Sequence, residues 1–317
     1  AGLCCAALGT DTGGSVRIPA AFCGVVGLKT TVGRVSRAGV YPLSPTLDSV
    51  GPLTRTVEDA ATVFAALQGE DPRDPATRGV GTCDALGSLH AGVKGMRIGI
   101  GETLFFDACD PEIESAVRAA AEVLKTLGAR VERVEIPEVA EVWSLEKRAL
   151  YIAAEACDVN QDLLDRHADV LDAYVVKRML PGRTLLATEY LELGRRFAAL
   201  RAGFESRLGE WDAVLAPTTP IPPPTVAEVS ASVEAYAKKN LLIHRNPGVA
   251  NYLGLCAISV PCGVTTSGLP IGLMIHGKPF REDVVLRVAS AYERATDWHA
   301  RRPDLSWVRT ATSTAAR

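Results

Sequence analysis

The stretch Gly9-Thr10-Asp11-Thr12-Gly13-Gly14-Ser15-Val16-Arg17-Ile18-Pro19-Ala20 constrains this chain more than any other. It follows an apolar run, Leu3 to Leu8, that reads as a buried strand. Pro19 suits a first helical turn and not a helix interior, so a short helix is expected after the turn. Strand, glycine-rich turn, serine and helix start together lift one hydroxyl above the end of a sheet. Gly13 and Gly14 lack Cβ, so the backbone can take φ > 0 and aim several N–H groups into one concavity. Donors so arranged hold an oxyanion beside the serine that creates it. Ser15 is therefore the candidate nucleophile, and the backbone N–H groups of Thr12, Gly13, Gly14 and Ser15 are the candidate oxyanion hole. A plainer reading makes Ser15 the cap of the following helix and the glycines a tight turn. Asp11 and Arg17 read as braces of this loop, with contact to a polar substrate group left open.

The pattern does not stop there. It continues as Ala21-Phe22-Cys23-Gly24-Val25-Val26-Gly27-Leu28-Lys29-Thr30-Thr31, then Gly33-Arg34-Val35-Ser36, then Thr46-Leu47-Asp48-Ser49-Val50-Gly51-Pro52-Leu53-Thr54-Arg55, with Glu58-Asp59-Ala60 beyond. In this order the residues resemble the amidase-signature family, whose hallmark is G-[ST]-D-x-G-G-S-x-R-x-P-[AS]. Two later segments extend the resemblance. Trp211 to Pro220 is similar to the family's D-x-[VL]-[LIV]-x-P-T-x-P stretch. Asn251 to Gly272 is similar to its closing N-x-x-G-x-P-A-[IL]-S-[VL]-P and G-L-P-[IV]-G pieces, with Cys256 where proline is usual.

The resemblance implies an α/β fold with a mixed β-sheet flanked by helices. It also implies amide hydrolysis through an acyl-enzyme on Ser15. In that scheme the Ser15 proton passes through a second serine to a neutral lysine, and the same relay protonates the leaving amine. Family members carry that lysine well upstream and the second serine in a G-S-S-G-G-S stretch just before the point where this sequence starts. Neither is present, so the sequence reads as the rear portion of an amidase, with little or no turnover expected from it alone. Ala1-Gly2 reads as the tail of a helix. The amidotransferase component that makes glutaminyl-tRNA usually shows an R-Y-G stretch in its variable region. None occurs between Trp143 and Phe204, which counts against that branch.

Composition narrows the rival classes. The 317 residues are 47% apolar and 22% charged with a net charge of −3, which favours neither a nucleic-acid nor a membrane surface. No apolar run approaches the roughly 18 residues of a membrane span. The eight cysteines form no C-x-x-C pair, and Cys4, Cys5 and Cys23 are expected in the core. Buried reduced thiols and a cytoplasmic setting follow. His90, His167, His244, His276 and His299 are dispersed, none with a histidine at i+4. No metal and no cofactor are expected. A small-molecule amide is the expected partner, and a homodimer stays possible. Lys29 sits in a stretch read as structural, and Thr218 and Thr219 read as strand caps at the rim of the site. Two alternatives remain: a non-catalytic homologue or amidotransferase subunit, and a phosphate- or nucleotide-binding module on the Gly9–Ser15 loop. The latter lacks G-K-[ST].

Along the chain, Thr56 and Asp59 form a capping-box-like start to a helix over Val57 to Leu67, ending at Gly69. Residues 70–95 read as a long surface connection. Met96 to Ile100, a helix capped by Asp110 with Pro111 in its first turn, and Val131 to Ile136 read as a β-α-β unit with parallel strands. Residues 138–209 read as three or four amphipathic helices, and the resemblance implies that they form the substrate side. Ile221 to Thr225 reads as a polyproline-like loop. Asn246 to Asn251 is expected to start a helix, Ala257 to Pro261 and Leu269 to Ile275 to form a hairpin, and Val284 to Tyr292 to form the last helix. Residues 1–317 are read as one N-terminally truncated domain, with 308–317 as a frayed tail.

Overall fold

In the computed structural model, which describes residues 2–306, eight strands join into one mixed sheet. Numbered along the chain, they are β1 (Ala6–Asp11), β2 (Val26–Lys29), β3 (Ser49–Thr54), β4 (Arg97–Gly101), β5 (Arg130–Val134), β6 (Ala213–Pro217), β7 (Cys256–Val264) and β8 (Pro270–Gly277). The spatial order is β1-β3-β2-β7-β8-β6-β4-β5. Pairings from β1 to β6 are antiparallel, and β6-β4 and β4-β5 are parallel. The β4-α-β5 segment is the expected crossover unit, because parallel neighbours need a helix-length return.

Helices cover both faces. They are α1 (Arg17–Cys23), α2 (Val57–Leu67), α3 (Pro111–Thr126), α4 (Pro137–Ser144), α5 (Arg148–Val159), α6 (Gln161–Arg166), α7 (Ala173–Met179), α8 (Ala187–Arg207), α9 (Val226–Ser230), α10 (Val233–Tyr252) and α11 (Glu282–Arg294). Successive side chains of a strand point to opposite faces, and β7 shows the result. Ile258 and Val260 join the core under α2, α3 and α11, while Ala257 joins the core under α4, α5, α8 and α10. Each fully buried Val, Leu or Ile contributes about 1.5–3 kcal/mol relative to exposure. Local signals act as expected at several ends. Thr56 accepts the Asp59 N–H, and Asp110 accepts the Glu112 N–H with Pro111 at the first position of α3.

Several expectations are corrected. The first strand runs from Ala6 to Asp11 and is an edge strand among the described residues; Leu3 and Leu8 are 93% and 58% exposed. Cys4, Cys5 and Cys23 are exposed rather than in the core, whereas Cys157, Cys256 and Cys262 are buried. Residues 70–95 do not simply skim the surface: Asp74, Thr77, Ala85, Leu89 and Val93 are buried. Residues 138–209 hold five α-helices rather than three or four, plus 3-10 turns at Leu180–Thr184 and Leu208–Glu210. Asn246 to Asn251 ends a helix instead of starting one, since α10 begins at the Ser232 cap and carries Pro247 inside it. Gly2 adopts φ +78, while Ala1 and the tail expected over 308–317 lie outside the described residues.

Candidate active site

β1 ends at Asp11, and the next residues build a turn around that one carboxylate. Asp11 Oδ1 accepts the Gly14 N–H at 2.8 Å, and Oδ2 accepts the Val16 N–H at 3.2 Å. Arg17, the first residue of α1, donates to both oxygens, through Nε at 3.0 Å and Nη2 at 2.9 Å. Its remaining donor capacity goes to the Pro247 carbonyl at 2.8 Å and Asn251 Oδ1 at 2.7 Å, and the Asn251 amide returns to Asp11 at 2.9 Å. Asp11 and Arg17 are both fully buried. Burial alone would raise the Asp11 carboxyl, but the charge and hydrogen bonds of Arg17, with Lys29 and Asn251, hold it well below the usual carboxylate range. The turn is thus clamped from the last two turns of α10.

Gly14 has φ +129, and a Cβ there would lie 2.7 Å from both Ile18 Cδ1 and Pro247 Cβ. Only glycine fits without displacement. Thr12 is fixed from the other side, donating to Asp48 Oδ1 at 2.5 Å, while Asp48 Oδ2 accepts the Leu43 and Ser44 N–H groups. Ser44 in turn bonds Glu155 of α5, which also accepts from Thr46 and from Tyr190 of α8. A polar chain therefore ties the turn to the helical portion.

Ser15 stands at the tip of this frame, exposed, with no hydrogen-bond partner for its Oγ among the described residues. It does not cap α1: the cap position is Val16, and no side chain caps that end. Of the four expected oxyanion donors, Gly14 is already committed to Asp11. The N–H groups of Thr12, Gly13 and Ser15 find no acceptor among the described residues. Asp11 and Arg17 brace the turn from beneath and present no free polar atom to its outer side.

Other candidates fall into structural roles. Lys29 is buried and donates to the Thr30 and Leu255 carbonyls at 2.9 Å each; burial pushes its ammonium down to about 8, with Asp11 opposing. Thr218 bonds Ser259 at 2.7 Å and Thr219 bonds the Ile221 carbonyl, both buried. A hollow of about 700 Å³ opens at the free edge of β1 between Cys4, Phe22, Leu53 and Trp298, away from Ser15. It lacks the convergent acid and base groups of a reaction site.

Two features of the surroundings carry no sequence signal. His244 lies against the turn, 3.6 Å from where a Gly13 Cβ would be, with Nδ1 2.9 Å from the Asn240 carbonyl. Burial pushes its pKa down, with the Asn240 carbonyl opposing. Trp143, Arg148 and Tyr252 form a stack beside Gly248, whose position next to the turn is set by α10 packing. Separations of about 100 to 230 residues leave no local spacing to detect.

Known proteins show the same frame. An amidase of Pseudomonas putida is 38% identical across 95% of this chain and 65% of its own length. A glutamyl-tRNA(Gln) amidotransferase subunit of Brevibacillus brevis is 37% identical across 95% of this chain and 65% of its own. The chain thus spans just under two thirds of the curated relatives it matches. Among solved structures, a bacterial aryl acylamidase of the amidase signature family superposes with a TM-score of 0.78 at 28% identity, covering 96% of this chain and 66% of that one. The corresponding glutamyl-tRNA(Gln) amidotransferase subunit of Thermotoga maritima superposes with a TM-score of 0.73 at 31% identity, over 91% of this chain and 62% of that one. The Amidase family model matches residues 1–286, and with the sheet, the Ser15 turn and its Asp11–Arg17 clamp in place, the chain belongs to the amidase family.

Proposed function

We propose that the protein hydrolyses a carboxamide C–N bond through an acyl-enzyme on Ser15. The observation that carries this reading is an exposed, unbonded hydroxyl held on a turn whose conformation is fixed by a fully buried ion pair. Ser15 Oγ attacks the amide carbonyl carbon, the carbonyl oxygen becomes an oxyanion, and the N–H groups of Thr12, Gly13 and Ser15 receive it. Each such donor typically contributes ~2.7–4 kcal/mol of transition-state stabilisation. Gly14 serves differently, by anchoring the turn to Asp11. Collapse of the intermediate expels the amine, and water then releases the acid.

No general base lies within hydrogen-bonding reach of Ser15 among the described residues. In this reading Ser15 gives its proton to a relay of the serine–lysine kind that the described residues do not include, and the relay returns it to the leaving amine. A free-standing amidase and an amidotransferase subunit would share the acyl-enzyme step. The lack of an R-Y-G stretch between Trp143 and Phe204 favours the hydrolase.

The test is Ser15→Ala in the intact gene product, with ammonia or amine release measured over a panel of simple amides. Loss of a serine nucleophile from a triad enzyme has cost about 10⁶-fold in kcat, and a drop of at least about 10³-fold is expected here. An unchanged rate would remove Ser15 from the chemistry.

A further inference from the structure

Resting on the reading of Ser15 as nucleophile, we propose that Arg148 recognises a carboxylate carried by the amide substrate several bonds from the scissile carbonyl.

His244, Gly248 and Tyr252 recur at i, i+4 and i+8 and share one face of α10. His244 lies against the Ser15 turn. Gly248 touches both ends of the stripe: a Cβ there would be 4.0 Å from the Gly13 carbonyl oxygen and 3.8 Å from Trp143 Cζ3 and Tyr252 Cε2. Gly248 thus sits between the turn and the aromatic pair. At its far end, Arg148 Cζ stands 3.7 Å from the Trp143 ring centroid and 5.3 Å from that of Tyr252. At a rise of 1.5 Å per residue, Gly248 to Tyr252 spans about 6 Å of helix. That spacing sets the scale for a ligand whose two polar ends lie several bonds apart.

The charge balance around Arg148 points the same way. Several inward-facing arginines near the sheet have carboxylates, Arg17 with Asp11, Arg34 with Glu282, Arg37 with Asp74 and Arg118 with Glu102, and buried Arg245 donates instead to Asn246 Oδ1 and the Phe105 carbonyl. Arg148, half-buried, has no carboxylate within 4.0 Å among the described residues. Its nearest acceptor is Tyr252 Oη at 3.4 Å, and its enclosed Nε has no partner. The two rings orient the guanidinium and attract it through their faces, but they supply no counter-charge. A planar, partly dehydrated guanidinium whose Nη groups lack a carboxylate matches one in a two-point contact.

The experiment compares adipamate with hexanamide, which differ in the terminal carboxylate, in the intact gene product. A third substrate, 6-acetamidohexanoate, places the carboxylate on the amine side. Adipamate or 6-acetamidohexanoate should exceed hexanamide in kcat/KM by about 10- to 100-fold, as expected for a hydrogen bond to a charged group. Whichever of the two is preferred assigns the pocket to the acyl or the amine side. In Arg148→Met that preference ratio should fall to within about threefold, and Arg148→Lys should retain part of it. Far-UV circular dichroism establishes that the variants are folded. Adipate binding to the Ser15→Ala protein, followed by tryptophan fluorescence, gives a readout independent of turnover and should disappear in Ser15→Ala/Arg148→Met. If Ser15→Ala keeps full activity while adipate binding still requires Arg148, the nucleophile reading fails and this one stands. Equal adipate binding with and without Arg148, or no preference for either carboxylate-bearing amide, overturns it.

Discussion

Arg17→Met tests the clamp on which the turn depends. The substitution keeps a long apolar stem but removes donors to Asp11 Oδ1, Asp11 Oδ2, the Pro247 carbonyl and Asn251 Oδ1. Asp11 is left fully buried with the Gly14 and Val16 N–H groups and the Asn251 amide, but without its counter-ion. Removing one partner of a buried pair costs about 3–5 kcal/mol, a large share of the roughly 5–15 kcal/mol that stabilises a domain. Asp11→Asn/Arg17→Met removes the uncompensated charge, so the double variant should be more stable than the summed single effects by at least about 1.5 kcal/mol. The assay is urea unfolding of the four proteins at pH 7. Acidity supplies a second readout. The folded Asp11 carboxyl lies below its unfolded value of about 3.9, so its contribution is present above about pH 4 and lost as pH falls further. Without Arg17 that carboxyl rises, and the acid-dependent loss shrinks. An Arg17→Met cost under about 1 kcal/mol, or additivity within about 0.5 kcal/mol, would refute the clamp.

Two further outcomes concern buried titrating groups. His276 is buried on β8 beside Phe105, neither ring nitrogen has a partner among the described residues, and burial, with Arg17 and Lys29, pushes its pKa down to about 3. The unfolded chain takes up this proton below about pH 6.5 while the fold refuses it, so His276→Leu should lessen the stability lost between pH 7 and 5 by about 2 kcal/mol in urea titrations; identical losses would contradict this. Glu293 accepts the Val57 N–H at the start of α2, and burial, helped by Asp59 and Glu58, raises its carboxyl to about 7. A raised carboxyl favours the fold at low pH and loses that contribution as pH rises through 7, so Glu293→Gln should flatten the wild-type fall in Tm between pH 5 and 7. Parallel Tm profiles would count against it.

What the sequence by itself determined is what neighbours in the chain decide. Thr56 and Asp110 announce their helices because a cap bonds an N–H two or three residues on, and the β4–α3–β5 unit shows in its periodicity. The strand–glycine–serine order also located the turn, since Gly14 needs a backbone that other residues strain to adopt. Pairings over long separations were beyond such signals. Nothing local shows that Pro247 sits inside α10, that Gly14 would be committed to Asp11, or that exposed Cys4 and Cys5 lie beside an edge strand. His244 and Arg148 looked like any half-polar helix residues. Only the tertiary structure set His244 beside the turn and Arg148 against Trp143 and Tyr252, because burial, counter-charge and reach are properties of what surrounds a side chain in space.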